Sequence, residues 1–510
     1  MPTLQMYRYA FKPSNLDEGI QTLRGSPDLV ATSPVQVGRA RQLLMDHHVV
    51  DDLNGAERIV HQPSKHEANP ILSACEPWEA GGACSYGTIM RDQQTGLFRL
   101  WAPLDDMRRQ RPEGKSLQDH RGLYYESDDG LTWRRPKLGR FAFDGSKANN
   151  IFHSHGKHLV GTLCVLALPP RMADRGRFAM LYAASLRDRE PNRAAVCVAF
   201  SDDGLEWTDA PANPVLCGRA GAAISVVYNP QRDLFMMYRR ASVNAGEVRR
   251  IAYCQSTDLL DWSQPVNVFG HDECDPIHLY GMQVAHYREV YFGLLHCLHM
   301  HPDGKRHPLT GGKDFLLDTQ LAWSRDGLHW FRHPKRPTFL PTSPPYQGAC
   351  DWGFATAMTE LIEVDDTIRV YYGGREYLHK PGARSRDNPL LNHFCLATLQ
   401  RDRFVSISAG PDGGYMLTRP MAYLGGKLHI NARTNAQGFI RVAIREAQGT
   451  RDGEWPETWR FDDCTPFAGD SLDHVVTWHD HGPQLEEFPA DVLRLHFWLE
   501  NADLFSFWFE

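Results

Sequence analysis

The chain has 510 residues, of which 42% are hydrophobic and 23% are charged, a composition typical of a folded protein rather than a disordered one. Its net charge of -7 disfavours a protein that binds nucleic acid by neutralising phosphates. No apolar run approaches the ~20 residues of a membrane helix, and the first twenty residues lack the apolar core of a signal peptide. We therefore expect a cytoplasmic protein without nucleic-acid or membrane partners.

A seven-residue pattern with Ser first, Asp third, usually Gly fourth and Trp seventh occurs four times, beginning at Ser127, Ser201, Ser256 and Ser324. Each copy follows a short apolar run, so we predict a strand that leads into a tight turn. Asp accepts hydrogen bonds from nearby amides in such turns, and Gly adopts positive φ. The aspartates interpreted as turn residues rather than catalytic acids are Asp129, Asp203, Asp258 and Asp326. Leu259 replaces Gly in the third copy and predicts a distorted turn there.

Aromatic-rich strands precede these turns, and a fifth such strand follows the last turn. They lie at residues 97–101, 177–182, 234–238, 290–295 and 367–372. Each follows a further apolar strand, so the pattern is four strands per unit over five units. Radially repeated four-stranded sheets form a β-propeller. The fifth unit lacks the seven-residue turn, and we expect an N-terminal strand at residues 43–61 to close it.

We therefore predict an all-β protein, with a five-bladed β-propeller in residues 1–400 followed by a C-terminal β-sandwich in residues 403–510. Evenly spaced strands, Gly-rich turns and an alternating aromatic strand at residues 504–509 indicate the sandwich. No phosphate-binding loop or dinucleotide motif occurs, so no cofactor is expected. The eleven cysteines have no zinc or redox spacing, which favours free thiols and no metal site.

The predicted blades, their Asp-Gly turns and the appended sandwich resemble the five-bladed propeller glycoside hydrolases, the superfamily that contains families 32, 43, 68 and 130. Shorter runs are similar to a bacterial group known only as glycosyl hydrolase-like; they are Asn69–Leu72, Pro77–Glu79, Tyr86–Thr88, Asp318–Leu321 and Tyr371–Gly374. The resemblance spans nearly the entire chain. It implies a carbohydrate-active enzyme with its site in the central pocket. The first two acidic positions of families 32 and 43 have no evident counterpart here.

Polar residues that enter the inner strand of each blade are the candidates for such a site. Glycoside hydrolysis needs two carboxyl groups, one protonated and one ionised. The fourth unit carries Asp272, Glu273 and Asp275, where crowding of like charges should raise a pKa. Asp351 and Glu79 come from other units and are the candidates to face them. The alternative is that Asp272 and Asp275 only cap a turn.

Aromatic side chains would stack on sugar faces, and arginines would hold an acidic group on the sugar. The predicted substrate-binding residues are Trp78, Tyr86, His153, Arg219, Arg239, Tyr280, Trp352, Arg375, Glu376 and His379. The expected partner is a carbohydrate, with an anionic sugar as one option.

Several functions are compatible with these residues. The first is a glycoside hydrolase that uses carboxylate acid/base catalysis in the central pocket. The second is a glycan-binding propeller that shows affinity without turnover. A phosphorylase would need inorganic phosphate, and a lyase would use His153 or Tyr280 as its base.

Overall fold

The computed structural model is built almost entirely of β-strands. It describes residues 34–79, 86–106, 119–153, 162–186, 193–217, 223–243, 248–270, 272–275, 278–300, 314–345, 348–378, 392–446, 459–479, 481–486, 488 and 490–510. The chain divides into two compact units. The terminal unit is Met1–Gln62, Asp365–Ile368 and Leu399–Glu510, and the central unit is Pro63–Val364 and Arg369–Thr398. Within the described ranges, no helix has the length and apolar character needed to cross a membrane.

Short strands occupy the first part of the described chain. They are β1 (Val35–Gln36), β2 (Gln42–Leu43), β3 (Val50–Asn54), β4 (Ala56–Val60), β5 (Ser64–Lys65) and β6 (Leu72–Ser73). The first four belong to the terminal unit and the last two to the central unit. A 3-10 helix at Pro77–Glu79 follows them.

The central unit then continues with three separate antiparallel sheets. The first contains β7 (Thr88–Arg91), β8 (Phe98–Asp106), β9 (Asp119–Ser127) and β10 (Ile151–His153). The second contains β11 (Leu163–Ala167), β12 (Phe178–Leu186), β13 (Arg193–Ser201), β14 (Thr208–Asp209) and β15 (Leu216–Cys217), with a 3-10 helix at Pro170–Arg175. The third contains β16 (Ile224–Asn229), β17 (Leu234–Val243), β18 (Val248–Ser256) and β19 (Val266–Phe269).

The fourth sheet of the central unit is larger, because one parallel pairing, Leu317 with Phe354, joins two groups of strands. The first group is β20 (His278–Tyr287), β21 (Val290–Met300), β22 (Asp314–Ser324), β23 (Phe331–Arg332) and β24 (Thr338–Leu340). The second group is β25 (Phe354–Val364), β26 (Thr367–Arg375) and β27 (Asn392–Gln400), with β5 and β6 paired to β27.

The leading strands of these groups contact one another in a closed circuit. In order, β7 contacts β11, β11 contacts β16, β16 contacts β20, β20 contacts β25, and β25 contacts β7. Side-chain hydroxyl and thiol groups satisfy backbone amides across the circuit. The links are Thr88 Oγ1 to Val165 N at 2.9 Å, Cys164 Sγ to Val226 N at 3.3 Å, and Ser225 Oγ to Val284 N at 2.9 Å. The small polar residues in these apolar strands therefore join one sheet to the next.

The seven-residue copies form the predicted turns. In the first copy, Ser127 Oγ accepts a hydrogen bond of 2.8 Å from Gly130 N. Asp129 Oδ1 accepts 2.8 Å bonds from the amides of Leu131 and Thr132. The other copies repeat these bonds. The interpretation of the aspartates as turn residues is confirmed.

The distorted turn expected at Leu259 is wrong. Leu259 adopts a φ of 68°, close to the 73° of Gly130 in the first copy. Its amide donates to Ser256 Oγ at 2.9 Å, as the glycine amides do in the other copies. The Leu259 side chain is fully buried in the cluster that joins the second and third sheets. Burying the Leu259 side chain contributes about 2 kcal/mol to stability. This offsets the cost of the left-handed backbone conformation, which is about 1–2 kcal/mol.

The terminal unit contains one mixed sheet in its described residues. Its C-terminal strands are β28 (Val405–Ala409), β29 (Gly414–Thr418), β30 (Met421–Ala422), β31 (Leu428–Glu446), β32 (Asp470–Val475) and β33 (Val492–Phe509). The long strand β33 pairs with β31 along most of its length and also with β2, β28, β29 and β30. Its inward residues, such as Phe497 and Phe507, pack in the core of this unit with Trp478.

The prediction that residues 43–61 close the last blade is wrong. Strand β3 pairs with β29 and β4 pairs with β28, so this segment lies in the terminal unit. The two backbones pack closely at the turn between β3 and β4. A Cβ on Gly55 would lie 2.7 Å from the carbonyl oxygen of Gly413. The strands that close the last group of the central unit are β5 and β6, which pair with β27.

Candidate functional site

Aromatic side chains gather where the leading strands of the circuit begin. Tyr86, just before β7, and Tyr280, in β20, stack with ring centroids 6.3 Å apart. Both belong to an apolar cluster with Ala223, which precedes β16, and Phe354, which begins β25. The structure thus brings together two of the predicted substrate-binding residues. We call Tyr86, Tyr280 and Phe354 the aromatic floor.

Guanidinium groups flank the aromatic floor. The Cζ atoms of Arg240 and Arg249 lie 5.0 and 5.3 Å from the centre of the Tyr280 ring. The Cζ atom of Arg375 lies 4.5 Å from the centre of the Phe354 ring. Arg239 neighbours Arg240 on β17 and is buried. Planar cations held against aromatic rings give this end of the circuit a fixed positive charge suited to an acidic ligand group.

A histidine also borders the aromatic floor. The ring of His296, on β21, lies 6.1 Å from that of Tyr86. Its Nε2 is 2.8 Å from the carbonyl oxygen of Ala357. Burial lowers the pKa of His296 to about 4, so the imidazole is neutral at physiological pH. Because Nε2 donates to the Ala357 carbonyl oxygen, Nδ1 of the neutral ring can accept a hydrogen bond without adding charge.

The other predicted binding residues are distributed around the first and last groups of strands. Trp78 donates from Nε1 to Asn150 Oδ1 at 2.7 Å. His153 is buried at the end of β10, with its ring 5.4 Å from that of Tyr182. Trp352 is half-buried in the turn before β25. Arg219 and His379 lie outside the described residues.

Glu376 belongs to a hydrogen-bonded chain rather than to the aromatic floor. Its Oε1 lies 2.8 Å from His393 Nε2, and His393 Nδ1 lies 2.8 Å from Ser73 Oγ. His393 is buried, whereas Glu376 is exposed. These two hydrogen bonds connect the end of β26 to β27 and β6, so they fix the closing strand β6 on the sheet.

Asp351 is buried in the turn before β25 and is held by two residues. Its Oδ2 is 2.6 Å from Lys65 Nζ and accepts a 2.9 Å hydrogen bond from the Tyr372 hydroxyl. Burial raises the pKa of Tyr372, which keeps that hydroxyl protonated as a donor. Both contacts involve the same carboxylate oxygen.

The crowded acids of the fourth group have arginine partners. Asp275 accepts two 2.5 Å hydrogen bonds from the guanidinium of Arg332, on β23. Asp272 pairs with Arg336, which also lies 3.6 Å from Asp275. Burial favours a higher pKa for Asp275, but the bonds and charge of Arg332 outweigh it and lower the pKa. The raised pKa expected from crowding is therefore wrong for Asp275.

The same acids also form a turn. Asp275 Oδ2 accepts a 3.0 Å hydrogen bond from the amide of Asp272, and Asp272 Oδ1 accepts one of 3.0 Å from the amide of Cys274. This is the capping arrangement of the alternative interpretation. Glu273, at the tip of the turn, is exposed.

Glu79 is fully buried at the end of the 3-10 helix before β7. Its Oε1 contacts Arg135 Nε at 2.8 Å and the Tyr125 hydroxyl at 2.7 Å. Its Oε2 accepts bonds from the amides of Cys75 and Glu76 at 2.8 and 3.0 Å. Four donors around one carboxylate give Glu79 the surroundings of a structural anchor.

Sequence reasoning missed Glu360, on β25. This residue is half-buried and has a φ of 70° in the middle of the strand. Burial raises the pKa of Glu360 to about 8, so its carboxyl group carries a proton at neutral pH. Burial, and more weakly Glu360, raise the pKa of Cys164 on β11 to about 11. The signal available in the sequence was a glutamate, Glu360, within the largely apolar run that forms β25.

Sequence reasoning also missed a contact between the side chains of His299 and Asp318. His299 Nε2 lies 2.9 Å from Asp318 Oδ1. Burial favours a lower pKa for His299, but Asp318 outweighs it and raises the pKa. In the described part of the chain, no group of three or more His, Cys, Asp or Glu side chains is arranged to hold a metal ion.

No protein-family model matches this sequence, and no curated protein matches it. Solved structures do show similarity. An N-acetylgalactosamine deacetylase from F. plautii, in complex with blood group B trisaccharide, has 14% identity and a TM-score of 0.45 over 69% of this chain and 97% of its own. A beta-1,2-mannobiose phosphorylase from Listeria innocua has 12% identity and a TM-score of 0.44 over 66% and 96%. An alpha-L-arabinofuranosidase from Podospora anserina has 11% identity and a TM-score of 0.42 over 67% and 98%.

Proposed function

We propose that this protein is a carbohydrate-active enzyme that binds a glycan at the aromatic floor. The observation that carries the proposal is the stacked pair Tyr86 and Tyr280 with Arg240 and Arg249 against it. Aromatic rings bind the apolar faces of sugars, and Tyr86 and Tyr280 keep 5% and 8% of their surfaces exposed. The closed circuit of leading strands supports a five-bladed propeller in the central unit, and we interpret the terminal unit as a β-sandwich.

The preferred substrate in this proposal is an anionic glycoside. Guanidinium groups bind carboxylates in a planar, two-bonded geometry. Arg240 and Arg249 lie against the Tyr280 ring, so an acidic substituent of a sugar bound beside that ring would meet their guanidinium groups.

For the chemistry, we propose hydrolysis with Asp351 as base or nucleophile. Lys65 and Tyr372 hold one oxygen of Asp351 and thereby fix its direction. Glu273 is the proposed general acid because its exposed side chain is accessible to a substrate, and this role requires its carboxyl group to be protonated in the complex. Asp272, Asp275 and Glu79 each pair with an arginine, which favours structural roles for these three acids. The described cysteines are free thiols, which supports the proposed cytoplasmic location.

The test is a turnover screen of the purified chain against aryl glycosides and oligosaccharides, neutral and acidic, with and without inorganic phosphate. We expect hydrolysis of acidic substrates without phosphate. Asp351→Asn should lower kcat about 10²–10⁴-fold, the usual contribution of a general base. Because the substitution also removes the ion pair with Lys65, kcat is expressed per folded molecule. Phosphate-dependent turnover would instead indicate a phosphorylase, and binding without turnover would indicate a glycan-binding protein.

The acidic preference has its own variant and control. Arg240→Leu should raise KM for the acidic substrate and leave KM for its neutral analogue unchanged. The matched control is Arg171→Leu, because Arg171 lies 6.0 Å from the Tyr228 ring on another part of the unit and pairs with Asp233. Equal effects of the two substitutions, or no binding of any carbohydrate, would contradict the proposal.

A further inference from the structure

Two cysteines that are distant in sequence meet beside Asp351. Cys350 lies in the turn before β25, Cys395 lies in β27, and their Sγ atoms are 3.5 Å apart. Cys395 is buried, whereas Cys350 is partly exposed, and both are free thiols. Two thiols in van der Waals contact need only a small movement to form a disulfide. This pair is not used in the proposed carbohydrate chemistry.

We propose that Cys350 and Cys395 form a reversible disulfide when a peroxide oxidises Cys350, and that this bond displaces Asp351. The disulfide itself is independent of the proposed function. Only its effect on turnover rests on the proposed role of Asp351.

The two thiols differ in a way that assigns their roles. The hydrogen bond with Cys395 lowers the pKa of Cys350, and burial raises the pKa of Cys395. Cys350 is therefore the better thiolate, and it is also the one that solvent reaches. Thiolates, not thiols, attack peroxides. Cys350 is the attacked residue and Cys395 is the resolving one.

The chemistry balances in two steps. The Cys350 thiolate attacks one oxygen of the peroxide, the O–O bond breaks, and a sulfenic acid forms with release of water or an alcohol. The Cys395 sulfur then attacks the Cys350 sulfur, the S–S bond forms and the S–O bond breaks. The Cys395 proton leaves with the hydroxide as water. The peroxide is reduced and the two thiols are oxidised, and a dithiol reductant reverses the change.

Closing the sulfur contact requires movement of about 1.5 Å, because a disulfide bond is about 2.05 Å long. Cys395 cannot supply that movement easily, because β27 is hydrogen-bonded between β26 and the closing strands. Asp351 and Cys395 both pack closely against Gly374, because a Cβ placed on Gly374 would lie 3.0 Å from the Asp351 Cβ and 3.3 Å from Cys395 Sγ. Gly353 is also fixed, since its amide donates to the Arg375 carbonyl at 2.9 Å.

The displacement therefore falls on Cys350, Asp351 and Trp352. Asp351 is the central residue of this segment, and its contacts with Lys65 and Tyr372 depend on its position. Oxidation should weaken these contacts and remove Asp351 from its fixed direction.

The first experiment measures the bond without any substrate. The full chain is treated with hydrogen peroxide, and remaining thiols are alkylated before peptide mass analysis. We expect a peptide pair joined through Cys350 and Cys395, formed about tenfold faster than oxidation of any other described cysteine, and lost after dithiothreitol. Cys350→Ser and Cys395→Ala should each abolish it. Cys217→Ser, which removes an exposed thiol elsewhere, should leave it unchanged. A stable sulfenic acid at Cys350 without the linkage would overturn the proposal.

The second experiment measures the consequence for turnover. Peroxide should reduce the activity of the wild type reversibly, and Cys350→Ser should keep its activity under the same treatment. If the linkage forms but activity on carbohydrates is absent in all samples, the proposed function fails while the disulfide stands. If the linkage forms and turnover is unchanged, the proposed displacement of Asp351 is overturned.

Discussion

Asp275 and Glu360 place a carboxyl group in two different surroundings within the central unit. Asp275 faces two arginines and a backbone amide, and its pKa is lowered. Glu360 lies in a leading strand of the circuit, where burial alone raises its pKa to about 8. Burial acts on both carboxyl groups and favours the neutral acid in each case. The difference is the presence of guanidinium groups beside Asp275.

The comparison shows that the number of neighbouring acids in sequence does not decide which acid keeps its proton. Asp272, Glu273 and Asp275 are adjacent in the chain, yet arginines from β23 and the segment after it neutralise two of them. Glu360 is followed in sequence by Glu363, Asp365 and Asp366. Among the residues that the structure describes, burial raises its pKa and no charged partner lowers it. A protonated carboxyl group at neutral pH is therefore a property of the strand circuit, not of the acidic run.

The largest expected effect on stability comes from removing the Arg332 guanidinium from Asp275, which brings the surroundings of Asp275 closer to those of Glu360. Arg332→Leu leaves a buried carboxylate with only part of its compensation, and removing one partner of a buried ion pair costs about 3–5 kcal/mol. The free energy of unfolding, measured with urea, should fall by that amount. The double variant Asp275→Leu/Arg332→Leu should recover most of the loss, because the uncompensated charge is gone.

The control for this prediction is an exposed ion pair. Arg134 pairs with Asp128 at the surface, with the Asp128 side chain 75% exposed, and such pairs contribute little. Arg134→Leu should therefore leave the unfolding curve unchanged. A double variant as unstable as Arg332→Leu alone would show that the ion pair is not the source of the effect.

A smaller effect is expected from Glu360→Gln, and it depends on pH. Between its ordinary pKa of 4.5 and its folded pKa of about 8, Glu360 is protonated in the folded state and ionised in the unfolded chain. The stabilisation from this proton is complete below pH 4.5 and is lost as the pH rises through 8. Wild-type stability should therefore fall between pH 5 and 8.5 by more than that of Glu360→Gln.

Chemical denaturation at several pH values measures this difference. The matched control is Glu206→Gln, because Glu206 is exposed and pairs with Arg140. This control should follow the wild-type pH dependence. Identical pH dependence for Glu360→Gln and the wild type would contradict a raised pKa at this position.

The sequence predicted those features that depend on short-range contacts. Each seven-residue turn is closed by bonds among its own residues, such as Ser127 Oγ to Gly130 N, so the pattern is visible in the letters. The repeated strands likewise predicted the order of the sheets. The closing strand was misplaced because β3 and β4 pair with β29 and β28, and these partners are distant in sequence.

The site residues depend on partners that are distant in sequence, and for that reason sequence reasoning assigned them less well. Lys65 reaches Asp351, and Arg332 reaches Asp275, from other strands. Tyr86 and Tyr280 were predicted as binding residues from their position at the start of leading strands, and the structure stacks them. Position along a strand therefore indicated that these two rings lie at the same end of the circuit, whereas their role in binding stays a prediction. Charge compensation and protonation required the fold.

The smallest expected effect concerns an exposed carboxylate, Asp129, which has neither the arginines of Asp275 nor the buried surroundings of Glu360. Partial burial favours a higher pKa, but bonds from the amides of Thr132 and Leu131 outweigh it and lower the pKa of Asp129 to about 2. Its stabilising contribution is present above pH 3.8 and is lost as the pH falls towards 2. Asp129→Ala should lower the free energy of unfolding at pH 7 by about 1 kcal/mol, the usual net value of such hydrogen bonds.

Asp129→Asn removes the negative charge of the side chain but keeps an oxygen that accepts hydrogen bonds. Because Asn keeps an oxygen that accepts both amide bonds, this variant should lose less stability at pH 7 than Asp129→Ala does. It should also show a weaker dependence on pH between 4 and 2 than the wild type. If the Asn and Ala variants were equally unstable, the negative charge rather than the hydrogen-bonded turn would hold Asp129, and its behaviour would then resemble that of Asp275.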